Sequence, residues 1–383
     1  MALKIAVNTR LLIKNRLEGI GWFTNETLSR ITRNHPEVEF YFLFDRKPDP
    51  SFIFSSNVHT IVLWPPARHP FLFVIYFEWA VRRALKNIKP DLFLSPDGYL
   101  SLGSKVPSMA VIHDLNFEHF PKDLPVLIRW YYRFFFPRFA RKAIRIATVS
   151  DFSRKDIVKQ YKVDYEAIDL VYNGANELFG PLSKEEIQKT RLQYSSGDAY
   201  FLFVGSLHPR KNLARLFKAF DIFKEQSQLP VKLLIVGEKL WWTAPIKEAF
   251  EGMKHKDDVV MCGRLNASEL HRVTASALAI TYVSYFEGFG IPIVEAFRCG
   301  VPVITSNVTS MPEVAADAAL LCDPYSTESI AGAMLQIAKS EELRSELVGK
   351  GLNRSSMFTW DASAERLWRS IEKAIEQSKK MML

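Results

Sequence analysis

Cysteine is nearly absent, with three residues in 383 and no C-x-x-C pair. That excludes a disulfide framework and a cysteine-based zinc site, and it suits a reducing cytoplasm. The eight histidines are scattered singly, without metal-ligand spacing. Long apolar runs are missing too. The longest, residues 71–77, is ended by Glu78, whereas a spanning helix needs about 20 apolar residues. The opening Met1-Ala-Leu-Lys-Ile-Ala-Val-Asn8 turns polar too quickly for a signal peptide and is expected to form a buried strand. Fixed-period repeats and low-complexity tracts are lacking.

What remains is the make-up of a soluble globular protein: 48% hydrophobic and 24% charged. At roughly 150 residues per domain the length suits two domains. The net charge of +8 is lopsided. Residues 1–175 hold 25 Lys+Arg against 17 Asp+Glu, while residues 176–383 hold 25 of each. The whole excess lies in the N-terminal half, which points to an acidic partner there: nucleic acid, anionic lipid or a phosphorylated substrate. No aromatic sheet motif or finger accompanies the charge, and nucleic acid is set aside.

Short apolar runs alternate with helix-like stretches along the chain. Residues 4–8, 39–44, 58–64, 92–95, 108–113 and 146–150 read as strands, with helices expected at 24–34 and 71–87. The scheme restarts with strands at 200–205, 231–237, 259–263, 278–283, 301–306 and 319–322. Between them, Leu213, Leu216, Phe217, Phe220 and Phe223 make one helical stripe. Strands alternating with helices predict parallel sheets covered on both faces, here two α/β doubly wound domains. Expected boundaries are residues 1–175 and 176–360, with a terminal amphipathic helix in 361–383. Ligands of such domains bind at the carboxyl ends of the strands.

The most informative stretch is Tyr285-Phe-Glu287-Gly288-Phe289-Gly290-Ile291-Pro292-Ile-Val-Glu295-Ala-Phe-Arg-Cys-Gly300. It follows a strand and opens a helix; Pro292 suits the first turn and Gly300 the exit. Its glycines let backbone approach a ligand, and the helix start offers N–H groups to an anion. Glu287 and Glu295 are able to accept from two hydroxyls of one ligand, or they are a solvated side chain and a helix cap. A second stretch, Gly205-Ser-Leu-His-Pro-Arg210-Lys211-Asn212, ends a strand with two cations placed for a diphosphate, with Asn212 as cap of the next helix. Two adjacent surface cations are also commonly just a solvated patch. His113, ending a strand and followed by Asp114, suits hydrogen bonding or proton transfer, although a lone His is often structural.

Two further stretches carry less. Gly19-Ile-Gly21 lacks the third glycine of a dinucleotide fingerprint and reads as a loop before the helix at 24–34, a phosphate approach or a packing turn. Residues 127–145 hold six basic residues, no acidic ones and a run of aromatics, which suits a membrane interface or an internal helix with a cationic rim. Pro137 argues against one straight helix there. No Asp-x-Asp clamp occurs, so a bound diphosphate would be neutralised by cations and helix ends.

These motifs resemble the retaining glycosyltransferases of family 4, built on the GT-B fold of two Rossmann-like domains facing across a cleft. The resemblance spans almost the whole chain. It is carried by Gly19-Ile-Gly21, Val111-Ile-His-Asp114, Ala147-Thr-Val-Ser150-Asp-Phe-Ser153, Val171-Tyr-Asn-Gly174, Gly205 to Asn212, Glu287-x7-Glu295 and Ser306-Asn-Val-Thr-Ser-Met-Pro-Glu313. It implies a C-terminal domain that holds a nucleotide-diphosphate sugar and an N-terminal domain that receives the acceptor. Arg210 and Lys211 would grip the diphosphate, with Gly205 beside them. Glu287 would bind the sugar and Glu295 the ribose. Backbone around Gly288, Phe289, Gly290 and Ile291 would meet sugar and phosphate. Arg264 and Leu265 would face the base, and Gly21 would close the phosphate pocket. His113 would touch the donor sugar; Gly19, His113 and Asp114 would serve the acceptor. The final helix would cross back onto the first domain.

The implied reaction is retaining transfer from GDP-mannose or a UDP-sugar to a saccharide or lipid-linked acceptor in surface polysaccharide or glycan assembly. Neither metal nor cofactor is expected. The expected setting is cytoplasmic, with peripheral contact at an anionic membrane face. Competing expectations are a sugar-nucleotide epimerase on the same fold, or a non-catalytic sugar- or membrane-binding module.

Overall fold

The computed structural model describes residues 2–67, 69–238 and 242–382. The chain divides into two compact units: one holds the residues up to Gly174 together with those from Trp360 onward, the other runs from Ala175 to Thr359.

In the first unit seven strands form one parallel sheet: β1 (Lys4–Asn8), β2 (Glu39–Phe44), β3 (Val58–Val62), β4 (Leu92–Ser95), β5 (Ser108–Val111), β6 (Arg145–Thr148) and β7 (Ile168–Leu170), in the order β3-β2-β1-β4-β5-β6-β7. Val7 lies beside Phe42 on one side and Leu94 on the other. Such strands are buried on both faces, and this explains why they read as unbroken apolar runs. β7 was not expected. At three residues, with Asp169 in the middle, it lacks an apolar run to announce it.

The helix Gly19–Asn34 begins five residues before the expected start, so Gly19 and Gly21 lie in its first turn and not in a loop. A Cβ on Gly21 would sit 3.1 Å from Leu17 Cδ2 and 3.2 Å from the Leu11 carbonyl oxygen, a tight fit that a larger residue would meet only by shifting the preceding loop by a few tenths of an ångström. The helical stretch expected at 71–87 spans Pro70–Ile75, a π-turn segment Tyr76–Val81, and Arg82–Ile88. Val126–Lys142 is one helix despite Pro137. Tyr131, Phe136, Phe139 and Ala140 are buried in the apolar cluster of this unit, and their burial outweighs the backbone bond that Pro137 cannot make.

The last helix, Trp360–Met382, packs on Gly19–Asn34. Leu367, Ile371 and Ala374 form its buried face. Ser363 Oγ donates to the Tyr172 carbonyl, and Ser370 and Lys373 both donate to Asp169 of β7, which Arg145 of β6 also engages at 2.7 Å.

In the second unit six parallel strands lie in the order β10-β9-β8-β11-β12-β13: β8 (Tyr200–Val204), β9 (Lys232–Val236), β10 (Val259–Gly263), β11 (Ala279–Tyr282), β12 (Val303–Ser306) and β13 (Leu320–Cys322). The stripe Leu213, Leu216, Phe217, Phe220 and Phe223 on the helix Leu213–Ser227 is fully buried against Phe201, Leu233 and Ile235 of the sheet and Met334 and Ile337 of the helix Thr327–Lys339.

Candidate functional site

The densest constellation lies at the carboxyl edge of the second unit's sheet. β8 ends at Val204, and Gly205 turns the chain with φ +149°. A 3-10 turn, Pro209–Lys211, follows, with His208 Nδ1 accepting from the Arg210 amide at 3.2 Å. β11 ends at Tyr282, and the chain runs through Glu287 to the helix Ile291–Arg298. Two cross-links tie the segments together: Tyr285 N donates to the Arg210 carbonyl (2.8 Å), and Arg210 Nη1 donates to the Phe286 carbonyl (3.0 Å).

The charges converge on Glu287. One carboxylate oxygen lies 2.7 Å from Arg210 Nη1 and the other 2.7 Å from Lys211 Nζ. Glu287 is buried, which by itself would raise its carboxyl, but the two cations overcome this and hold it at about 2. It is therefore ionised at every working pH, and the trio carries net +1. Beneath it, Lys211 Nζ donates to the Tyr282 hydroxyl at 2.6 Å, and the Tyr282 ring lies 4.6 Å from the ammonium. Burial and the neighbouring Glu287 push the Tyr282 phenol far up, so it keeps its proton.

The loop is shaped by backbone requirements. Gly290, at the N-cap of Ile291–Arg298, has φ +106°, a left-handed conformation that a side chain resists. A Cβ there would also approach Ile293 Cδ1 to 3.0 Å. Pro292 sits in the first turn as the sequence predicts, and Gly300, φ +66°, follows the helix. Glu295, one turn into the helix, is half-buried, and burial alone pushes its carboxyl up to about 7. Arg264, after β10, pairs with Glu238 at 3.3 Å, with Leu265 half-buried next to it. This turn is linked inward, since Gly237 donates to the Gly263 carbonyl and Gly205 to the Val236 carbonyl.

Asn212 departs from expectation. It occupies the N-cap position of Leu213–Ser227 but is left-handed, φ +64°, and makes no side-chain cap. Its amide instead donates to the carbonyls of Val283 (3.0 Å) and Pro324 (2.8 Å), holding two strand ends together. Tyr282 carries no signal in the sequence beyond its strand, and Thr309 and Ser310 stand inside the Ser306–Glu313 motif without an expected role. Thr309 accepts from the Glu287 amide at 3.3 Å, and Ser310 donates to the carbonyls of Glu287 (2.8 Å) and Phe289 (3.2 Å). Only the tertiary fold brings residue 310 to residue 287.

In the first unit, His113 follows β5. Its Nε2 lies 2.9 Å from the Pro96 carbonyl oxygen, which only accepts, so Nε2 carries the proton. Burial lowers its pKa, which leaves a neutral ring with Nδ1 as acceptor; the donor role is spent on Pro96. Phe23 meets the ring edge-on at 5.0 Å, so the helix that starts at Gly19 is packed directly against His113. Asp114 accepts from the Asn116 backbone (3.0 Å) and side chain (2.8 Å), the geometry of a turn that starts the next short helix.

This frame has recorded relatives. Residues 18–177 match Glycosyltransferase Family 4, and residues 184–354 match Glycosyl transferases group 1. Among solved structures, sucrose-phosphate synthase from Thermosynechococcus elongatus superposes with a TM-score of 0.77 at 18% identity, covering 97% of this chain and all (100%) of that one. The chain is a GT-B glycosyltransferase resembling family 4.

The glycosyltransferase is 28% identical over 376 residues to O-antigen chain mannosyltransferase B of Escherichia coli, which covers 91% of this chain and 94% of that protein. It is also 28% identical over 226 residues to O-antigen chain mannosyltransferase RfbU of Salmonella typhimurium, 59% of each chain. Anabaena HepE, solved in complex with UDP-glucose, shares the fold at a TM-score of 0.74 and 17% identity, over 97% of this chain and 100% of that one. No helix among the described residues of the glycosyltransferase is long and apolar enough to cross a membrane.

Proposed function

We propose that this glycosyltransferase moves mannose from GDP-mannose to a saccharide or lipid-linked acceptor in surface polysaccharide assembly, with retention of configuration. The mannosyltransferase relatives support the sugar and the pathway class. A UDP-sugar is the competing donor. The observation that carries the reading is the meeting of Arg210, Lys211 and Glu287 at the glycine-capped start of Ile291–Arg298.

Cleavage of a sugar–phosphate bond passes through an oxocarbenium-like state and loads negative charge onto the leaving diphosphate. Arg210, Lys211 and the helix start are fixed before that charge appears, so they stabilise the transition state more than the ground state. With front-face attack, the leaving phosphate itself takes the acceptor proton and no protein nucleophile is needed. Glu287 then positions the sugar and the two cations, Glu295 receives the ribose, and Arg264 and Leu265 flank the base. On the first unit, Gly19, His113 and Asp114 are assigned to the acceptor. His113 also accepts a sugar hydroxyl at Nδ1. With two cations in this role, transfer is expected to persist in EDTA, and loss of activity restored by Mg²⁺ would refute that.

The first unit also offers a surface for an anionic membrane. On Val126–Lys142, Val126, Leu127 and Trp130 are 67%, 62% and 62% exposed, with Arg129 between them in the sequence and Arg133 three residues beyond Trp130. With this surface, we infer a working position at the cytoplasmic face of the cell membrane.

A panel of nucleotide sugars, read by thermal stabilisation and by sugar transfer or slow hydrolysis, tests the reading. GDP-mannose should raise the melting temperature most. Interconversion of nucleotide sugars without an acceptor would favour an epimerase, and sugar binding without turnover a non-catalytic module.

A further inference from the structure

Ser310 precedes the short helix Met311–Ala315 and stands three residues before Glu313, a spacing that by type reads as a helix cap. The structure uses its hydroxyl otherwise. Ser310 makes no cap; fully buried, it reaches back to the carbonyl oxygens of Glu287 at 2.8 Å and Phe289 at 3.2 Å. Thr309 is held left-handed at φ +58°, unusual for a β-branched residue, and accepts from the Glu287 amide at 3.3 Å. Three backbone groups of one loop are thus gripped by two consecutive side chains from the next.

In a trans peptide the C=O and the following N–H point in opposite directions. Fixing the Glu287 and Phe289 carbonyls toward Ser310 therefore turns the amides of Gly288 and Gly290 to the other side of the loop. Glycines flank these peptide planes, so nothing in the residues themselves would prevent the planes from rotating.

We infer that Ser310 is a positioning residue for the donor diphosphate: its hydroxyl sets the two peptide planes whose amides, with Arg210 and Lys211, form the anion cradle. The inference rests on the proposed donor reading and adds a residue and a mechanism to it. Ser310 touches no substrate; it acts through the backbone of residues 287–290.

Ser195 supplies an internal comparison. It too is a buried serine bridging two carbonyls, Arg191 at 2.8 Å and Asp198 at 2.6 Å, at the end of the helix Lys184–Ser195. Calorimetric titration of the full chain with GDP, UDP and ADP separates the roles. S310A is expected to weaken diphosphate binding at least tenfold and S195A less than twofold, although each loses the same kind of bond. S310C, nearly isosteric but a poorer donor, should fall between, and if S310A does not fold, a threefold or larger loss in S310C stands in for it. With [15N]glycine labelling, the Gly288 and Gly290 amide signals should move on adding the diphosphate to the parent protein and much less in S310C. Binding in the parent that S310A and S310C leave unchanged, or that S195A weakens equally, overturns the role of Ser310 and leaves the donor reading intact. A parent protein that takes up none of the three diphosphates overturns the donor reading and this inference with it.

Discussion

Arg210 and Lys211 share one carboxylate, and that arrangement makes the site sensitive to single atoms. Replacing either with Ala should lower kcat/KM at least roughly tenfold, about 1.4 kcal/mol of transition-state stabilisation, and also strand Glu287 with one partner. Steady-state kinetics check this, and unchanged turnover in both variants would remove the diphosphate assignment. Tyr282→Phe takes one hydroxyl from Lys211 while keeping the ring beneath it. A several-fold rise in donor KM with little loss of melting temperature is the expected result. Glu295 behaves in the opposite way to Glu287. Its folded carboxyl, near 7, lies above its value of 4.5 in the unfolded chain, so the folded state holds the proton longer. Stability is then full below about pH 4.5 and declines as pH rises through 7. Glu295→Gln should therefore melt higher than the parent at pH 8, by about 2–4 °C per kcal/mol relieved, with the gap closing toward pH 5. For Glu287, held near 2, the sign reverses: its contribution is present above pH 4.5 and is lost as acid approaches pH 2.

Elements succeed or fail as units. Central strands such as β4, β5 and β11 are legible because both faces are buried and the runs are continuous, whereas the three-residue β7 is not; ends shift by a residue or two where turns intrude, as at Val111 and Val62. The helix Val126–Lys142 continues through Pro137, whose lost hydrogen bond is a local penalty, while the burial of Phe136 and Phe139 is a tertiary gain. Its exposed residues bear the membrane expectation. The protein should pellet with vesicles containing anionic lipid at low salt and be released at high salt, because the Debye length falls from about 10 Å at 0.1 M to 3 Å at 1 M. Trp130→Glu should abolish pelleting without changing the far-ultraviolet circular dichroism. Absence of pelleting in the parent at low salt would discard the surface.

At the scale of the molecule, the chain leaves the first unit at Gly174, builds the second, and returns at Trp360. Residues far apart in sequence therefore share one fold, and Asp169 meets Ser370 and Lys373 on the returning helix. Removing residues 360–383 would take away Leu367, Ile371 and Ala374 and uncover the face of Gly19–Asn34 on which their helix packs. Calorimetry should then show the first unit's transition lowered or absent while that of the second persists. Equal, unshifted transitions would mean that the helix is dispensable.

Sequence alone determined the parallel α/β architecture, the stripe from Leu213 to Phe223 and the glycine–proline start of Ile291–Arg298, because periodicity and backbone permission are properties of neighbouring residues. It also marked Arg210, Lys211, Glu287 and Glu295 as notable. Tertiary structure decided how they are used: Glu287 between two cations, Glu295 raised by burial, Asn212 as a tie between strand ends, His113 committed through Nε2 to Pro96. Those outcomes depend on distances between segments remote along the chain, and no local pattern encodes them.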